Sequence, residues 1–172
     1  MEKLKIAGAE KDAVFFHKPE EPNGYLSNWH MSSFEIDGIR FSSSEQYIMY
    51  SKCMLFGDEA SAKAALAAAD QQELQDIGRA AKGYIDCVWA GVRQLIAMRA
   101  LLAKFRQNED LKKKLLDTGD AYLAECAKSD QYWACGVSLY DDARHDAAKW
   151  TGQNILGFAL MEVRRILREH AR

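Results

Sequence analysis

Glu45 is the carboxylate best placed in this sequence to do chemistry. It follows Ser42, Ser43 and Ser44 and precedes Gln46, Tyr47, Tyr50 and Lys52, while Asn28, Trp29 and His30 stand in the loop before it. Two readings compete. Ser42 to Glu45 has the spacing of a capping box, in which the glutamate also meets the positive end of a helix dipole, a role that stabilises by roughly 1 kcal/mol and needs no ligand. The other reading is catalytic: a rigidly held carboxylate at a strand-to-helix junction, with Lys52 and the aromatic faces of Tyr47 and Tyr50 following, suits a sugar-bearing or phosphorylated ligand. Asp130 is the second carboxylate of interest. The segment Ser129 to Gly136 packs it beside Tyr132 and Trp133 with no clear period, so Asp130 is either a proton donor in an apolar setting or a turn former. Three places could hold an anion. Lys52 is one, and Arg79 is another, preceded by Gly78 inside a helical pattern where glycine costs about 1 kcal/mol relative to alanine and so implies close packing or ligand approach. The third is the helix start at Asn154, within Gly152-Gln-Asn-Ile-Leu-Gly157, whose N–H groups can hold phosphate. A solvated arginine and a plain helix cap are the alternatives for the last two.

The elements that must position these residues are mostly helical. Phe34, Ile36, Ile39 and Phe41 flank Asp37-Gly38, a two-residue hairpin turn that leads into the serines. Ala13 to His17 reads as a buried strand, and Pro19 and Pro22 then enforce a loop. Alanine-rich residues 58–69 predict a helix, and Asp70 with Glu73 repeats the capping-box spacing for another running to Lys82. Asp86 is placed to cap the longest helix, 87–106, whose stripe is Val88, Val92, Leu95, Ile96, Leu102 and Phe105, with Trp89 slightly off it. A helix over 109–116, a strand over 122–126, a polar connection over 137–153 and a final helix capped by Asn154 complete the pattern. This is an α+β chain, mainly helical with a small β-sheet, and residues 1–172 are expected to be a single domain.

Composition narrows the function. With 23 Lys+Arg against 25 Asp+Glu and a formal charge of −2, the chain has no global basic field for a nucleic-acid backbone. No stretch approaches the roughly 20 apolar residues of a membrane span and the N-terminus lacks a signal-like apolar core, so the expected location is cytoplasmic. Cys53, Cys87, Cys126 and Cys135 are scattered, as are the four histidines. Zinc spacing is absent, the cysteines read as buried thiols, and no glycine-rich nucleotide fingerprint is present.

Taken together, Tyr25-Leu-Ser-Asn28, Phe41 through Lys52, Ile77-Gly-Arg79, Val88-Trp89, Leu102-Ala-Lys-Phe105, Leu116 to Asp120, Asp130 to Gly136 and Gly152 to Glu162 resemble the NADAR family over about residues 14–167. The resemblance implies a mainly helical fold and, from the YbiA-like members, an N-glycosidase acting on early riboflavin-pathway intermediates, ribosylamino-pyrimidine 5′-phosphates. It implies no metal or organic cofactor, no membrane and no obligate protein partner. Under it Glu45 is the catalytic carboxylate and Asp130 a donor or hydroxyl-binding partner. Trp133 and Trp89 stack on the base or exclude water, Lys52, Arg79 and the Asn154 helix start meet the phosphate, Tyr47 lines the site, and Asn28 binds ribose hydroxyls or the base edge. Two alternatives stay open: a glycohydrolase acting on ADP-ribosylated guanine in DNA, and a non-catalytic sensor of ADP-ribose or a nucleotide. Met49, where many relatives carry glutamine, and a longer 137–151 loop are the departures from the family pattern.

Overall fold

The computed structural model describes residues 1–170. In chain order the elements are β1 (Glu2–Ile6), β2 (Ala9–Phe16), β3 (Phe34–Ile36), β4 (Ile39–Phe41), α1 (Ser44–Leu55), α2 (Glu59–Ala67), α3 (Gln71–Arg79), α4 (Asp86–Gln107), α5 (Glu109–Asp117), β5 (Tyr122–Glu125) and α6 (Ile155–Glu169). The architecture is α+β, mainly helical, as the sequence implied. It divides into two compact units: Met1–His30 with the chain from Glu109 onward, and Met31–Asn108.

The first unit is built on a sheet ordered β1-β2-β5. Strand β1 is antiparallel to β2 through an Ala7-Gly8 turn in which both residues have positive φ, and β5 joins β2 in parallel, with Ala13 opposite Tyr122 and Phe16 opposite Glu125. Leu4, Ala13, Phe15, Ala124, Cys126, Cys135 and Val137 form its core. Helix α6 lies on β5 so closely that a Cβ at Gly157 would strike the Leu123 carbonyl, which is why glycine stands there. Arg164 of α6 is buried and donates to Thr118 Oγ1 at 2.6 Å and to the Ala121 carbonyl at 2.8 Å. The 137–153 connection contains two short 3-10 turns, Asp142–His145 and Ala147–Lys149, opened by Asp141 and Asp146 side chains.

The second unit packs the β3-β4 hairpin against α1 and α4. Asp37 and Gly38 both adopt positive φ, the left-handed geometry of the tight hairpin turn. Phe34, Ile36, Phe41, Tyr47 and Ala100 form the core beneath it, and Gln107 clasps the hairpin by exchanging hydrogen bonds of 2.8 Å with the Glu35 backbone. In α4 the buried face is Trp89, Ala97, Ala100, Leu101, Lys104 and Phe105. The stripe read from periodicity holds only in part: Phe105 is buried and Ile96 packs on the hairpin core, but Leu95 is 65% and Val88 41% exposed, while Trp89 lies on the buried side. Apolar residues cover so much of this helix that spacing alone could not choose a face. Asp86 is its first residue and makes no side-chain cap. Of the cysteines, Cys87 is exposed and the other three are buried, which corrects the reading of all four as buried.

Lys104 is fully buried, and burial pulls its pKa down to about 7. The sign of the consequence follows from linkage. An unfolded-chain lysine holds its proton up to about pH 10.4, so between about pH 7 and 10 the unfolded state binds a proton that the folded state does not. Stability contributed through this group therefore rises with pH across that window, by at most ~1.4 kcal/mol per pH unit. Urea unfolding at a series of pH values is expected to show this rise in the wild type, and Lys104→Met is expected to flatten it.

Candidate functional site

Glu45 owes its position to contacts on both sides of the start of α1. The hairpin ends at Phe41, whose ring meets Tyr47 edge-on at 5.0 Å, and the Ser32 N–H donates to the Ser42 carbonyl at 2.8 Å. The N-cap is Ser43, whose Oγ accepts from the Gln46 N–H at 3.2 Å. Gln46 completes the box: its Oε1 accepts from the Ser42 N–H at 2.8 Å, while its Nε2 donates to the Ala65 and Leu66 carbonyls in the last turn of α2. The capping box is thus Ser43 with Gln46, one residue along from the Ser42–Glu45 register. Glu45 is not the capping residue, yet it is only 9% exposed in the first turn.

Seven residues on, Lys52 returns to the same face of α1 as Glu45. Its Nζ donates to the Gly78 carbonyl at 2.6 Å and lies 4.4 Å from the Tyr84 ring centroid and 5.7 Å from that of Trp89. Burial lowers its pKa, and the charges of Cys53 and Glu45 oppose that shift. Glu45, Lys52, Tyr84 and Trp89 therefore make one cluster: a buried carboxylate, a partly buried ammonium and two aromatic faces. Tyr84 was not singled out by the sequence, since it falls between helical patterns. Arg93 was also missed. Its Nε is buried one turn beyond Trp89, and its charge is felt by the Tyr84 hydroxyl.

Two other expected site residues of this unit have structural partners. Tyr47 is 6% exposed and packs in the hairpin core, where its ring supports α1. Arg79 points to solvent, paired with Asp76 at 3.2 Å and bonded to Gln75 at 3.1 Å; its charge has a surface partner, the solvated alternative.

In the first unit, Asp130 Oδ1 accepts from the Tyr132 and Trp133 N–H groups, both at 2.8 Å. That is the turn-forming role. The segment it folds then feeds α6, because the Tyr132 carbonyl accepts from the Ile155 N–H and the Trp133 carbonyl from the Leu156 N–H. Those two donors of the helix start are taken up within the protein and not offered to a ligand. Asn154 is fully buried with φ of 53° and makes no side-chain cap. Its Nδ2 donates to the Leu123 carbonyl and its Oδ1 accepts from the Glu125 N–H, each at 3.0 Å, so Asn154 is a clamp on β5 and not a ligand-binding cap. Trp133 is half-buried, edge-on to Tyr132 at 5.1 Å. Asn28 is 5% exposed, and its Oδ1 has no hydrogen-bond partner among the described residues, an acceptor that a ligand hydroxyl or amine would satisfy.

Among the described residues no three His, Cys, Asp or Glu side chains gather as a metal-ligand set, and no helix is long and apolar enough to cross a membrane.

Comparison with known proteins identifies the family. An N-glycosidase of Acanthamoeba polyphaga mimivirus is 32% identical over 159 residues, covering 88% of this chain and 94% of that protein. A riboflavin biosynthesis protein of Vibrio vulnificus (strain YJ016) is 30% identical over 158 residues, which is 92% of this chain but 39% of the longer relative. The NMR structure of the E. coli protein YbiA superposes with a TM-score of 0.77 at 27% identity, over 94% of this chain and 88% of that one. The NADAR domain model matches residues 14–168, taking in Glu45, Lys52 and Trp89 along with the Asp130 turn, and the chain belongs to the NADAR family.

Proposed function

We propose that this chain is an N-glycosidase that hydrolyses the bond between ribose C1′ and nitrogen in phosphorylated N-ribosides, with ribosylamino-pyrimidine 5′-phosphates of early riboflavin synthesis as substrates. The observation that carries the reading is the capping register. Ser43 caps α1 by accepting from the Gln46 N–H, and Gln46 holds the Ser42 N–H before it, so Glu45, buried in the first turn, is not used as the cap. The names of the mimivirus and Vibrio relatives support the reaction and the substrate class respectively.

As the C1′–N bond breaks, positive charge builds on C1′ and the ring oxygen, while the departing amine takes up a proton. Glu45 stabilises that charge or removes a proton from the attacking water. Lys52 meets the phosphate with a charge-assisted hydrogen bond, strengthened because the ammonium is already partly stripped of water. Trp89, already in contact with that ammonium, walls water from the sugar. Water adds to C1′, giving ribose 5-phosphate and the free pyrimidine. Glu45, Lys52 and Trp89, all of the second unit, suffice for this account, and both units are proposed to belong to one catalytic domain acting in the cytoplasm.

The test is release of ribose 5-phosphate from ribosylamino-pyrimidine phosphate by the purified protein, beside an oligonucleotide bearing ADP-ribosylated guanine. Turnover of the pyrimidine is the expected result. Cleavage of the oligonucleotide alone would move the activity to modified DNA, and binding of ADP-ribose without turnover of either would make the chain a sensor.

A further inference from the structure

The structure assigns Gly78 and Met49 a positioning role: the side chain that Gly78 lacks lets α3 approach α1 closely enough for its carbonyl to seat the Lys52 ammonium. The inference rests on the reading of Lys52 as a cation that meets substrate. Gly78 is buried in the last turn of α3, where carbonyls have no intrahelical partner and carry the negative end of the helix dipole. The Gly78 carbonyl accepts from Lys52 Nζ at 2.6 Å. A Cβ at position 78 would fall on Met49 Sδ and stand 3.1 Å from Met49 Cγ. Met49 lies on α1 between Glu45 and Lys52, one turn from each, so the thioether fills the place of the absent methyl on the face that carries both charged groups.

Beyond the Gly78 carbonyl, the Lys52 ammonium faces the Tyr84 and Trp89 rings, which fix its approach. An added methyl at position 78 must push Met49 along that face or push α3 outward. The outward movement of α3 takes the carbonyl away from Lys52 and releases the ammonium to water. Misplacement of a binding group by about 1 Å can cost on the order of 10²-fold in rate.

The experiment combines Gly78→Ala, Met49→Ala and the double variant, with thermal melts to establish folding. Lys52 is followed by reductive methylation against pH with mass spectrometry, which needs no turnover. In the wild type Lys52 should methylate with a midpoint below that of an ordinary lysine. In Gly78→Ala the midpoint should rise toward about 10.4, because a hydrated ammonium is no longer desolvated. The value of kcat/KM for the phosphorylated substrate should fall about 10–100-fold, mainly through KM, as expected for a lost binding interaction. In the double variant the new methyl occupies space that Met49 has vacated. Both the midpoint and KM should then return to within about threefold of Met49→Ala, a coupling that only neighbouring residues show. A Lys52 midpoint unmoved by Gly78→Ala, or a double variant no better than Gly78→Ala, would overturn the assignment. A coupled midpoint shift in a protein without turnover would uphold the seating of Lys52 while refuting the proposed reaction.

Discussion

Replacing Glu45 with glutamine is expected to lower kcat on the ribosylamino-pyrimidine phosphate by about 10²–10⁴-fold, the range for a well-placed acid/base group, and to leave the fold in place. Glutamine keeps the shape of the side chain and removes its charge. The cap of α1 survives, because Ser43 Oγ holds the Gln46 N–H and Gln46 Oε1 holds the Ser42 N–H. The loss to stability should come from the carboxylate's charge, through the helix dipole at about 0.3–1 kcal/mol and through its interaction with Lys52. Kinetics and a urea melt on the same preparation decide the matter. A capping glutamate would give the reverse pattern, with unfolding easier and turnover unchanged.

Asn154→Ala should produce the largest change in stability, about 3–7 kcal/mol. Two buried backbone groups, the Leu123 carbonyl and the Glu125 N–H, lose their partner, at about 1–3 kcal/mol for each group left unsatisfied. The φ of 53° adds a further cost for alanine of roughly 1 kcal/mol. Asn154→Gly removes the same hydrogen bonds without that steric cost, so alanine should be the worse of the two by about 1 kcal/mol. Were Asn154 instead a phosphate ligand, both variants would raise KM and melt near the wild type. Denaturant unfolding followed by helical circular dichroism separates the cases.

The contrast between these residues shows what could be read from the chain itself. Asp37-Gly38 and Asp70 with Glu73 were legible because their chemistry is local: the turn needs positive φ, and Asp70 Oδ1 accepts from the Glu73 N–H while Glu73 Oε2 accepts from the Ala69 N–H. The serine run was ambiguous because consecutive hydroxyls allow two capping registers. The choice falls to Gln46, whose amide also reaches α2, a partner that sequence spacing does not reveal. Asn154 sits at the predicted helix boundary, but its side chain answers to β5, some thirty residues away in the chain. Strand β1 went unread because its Leu4 and Ile6 alternate with charged residues over too short a span to stand out. Lys104 lies among apolar neighbours in the sequence, yet only the packed helix shows that its amine goes in with them.

The way the chain is divided also bears on how it can fold. Met31–Asn108 is one uninterrupted stretch, so its hairpin and helices can assemble as soon as that stretch is available. The sheet of the other unit cannot, because Ala13 must wait for Tyr122. Closing a loop of that length carries an entropic cost that grows only slowly, as the logarithm of its span, but contacts so far apart in sequence slow the search. During synthesis the β1-β2 hairpin is made early, and the edge of β2 that will receive β5 stays open until the ribosome has delivered the rest. That edge is the part of the nascent chain most exposed to unwanted strand pairing, and the point at which a chaperone would have most to protect.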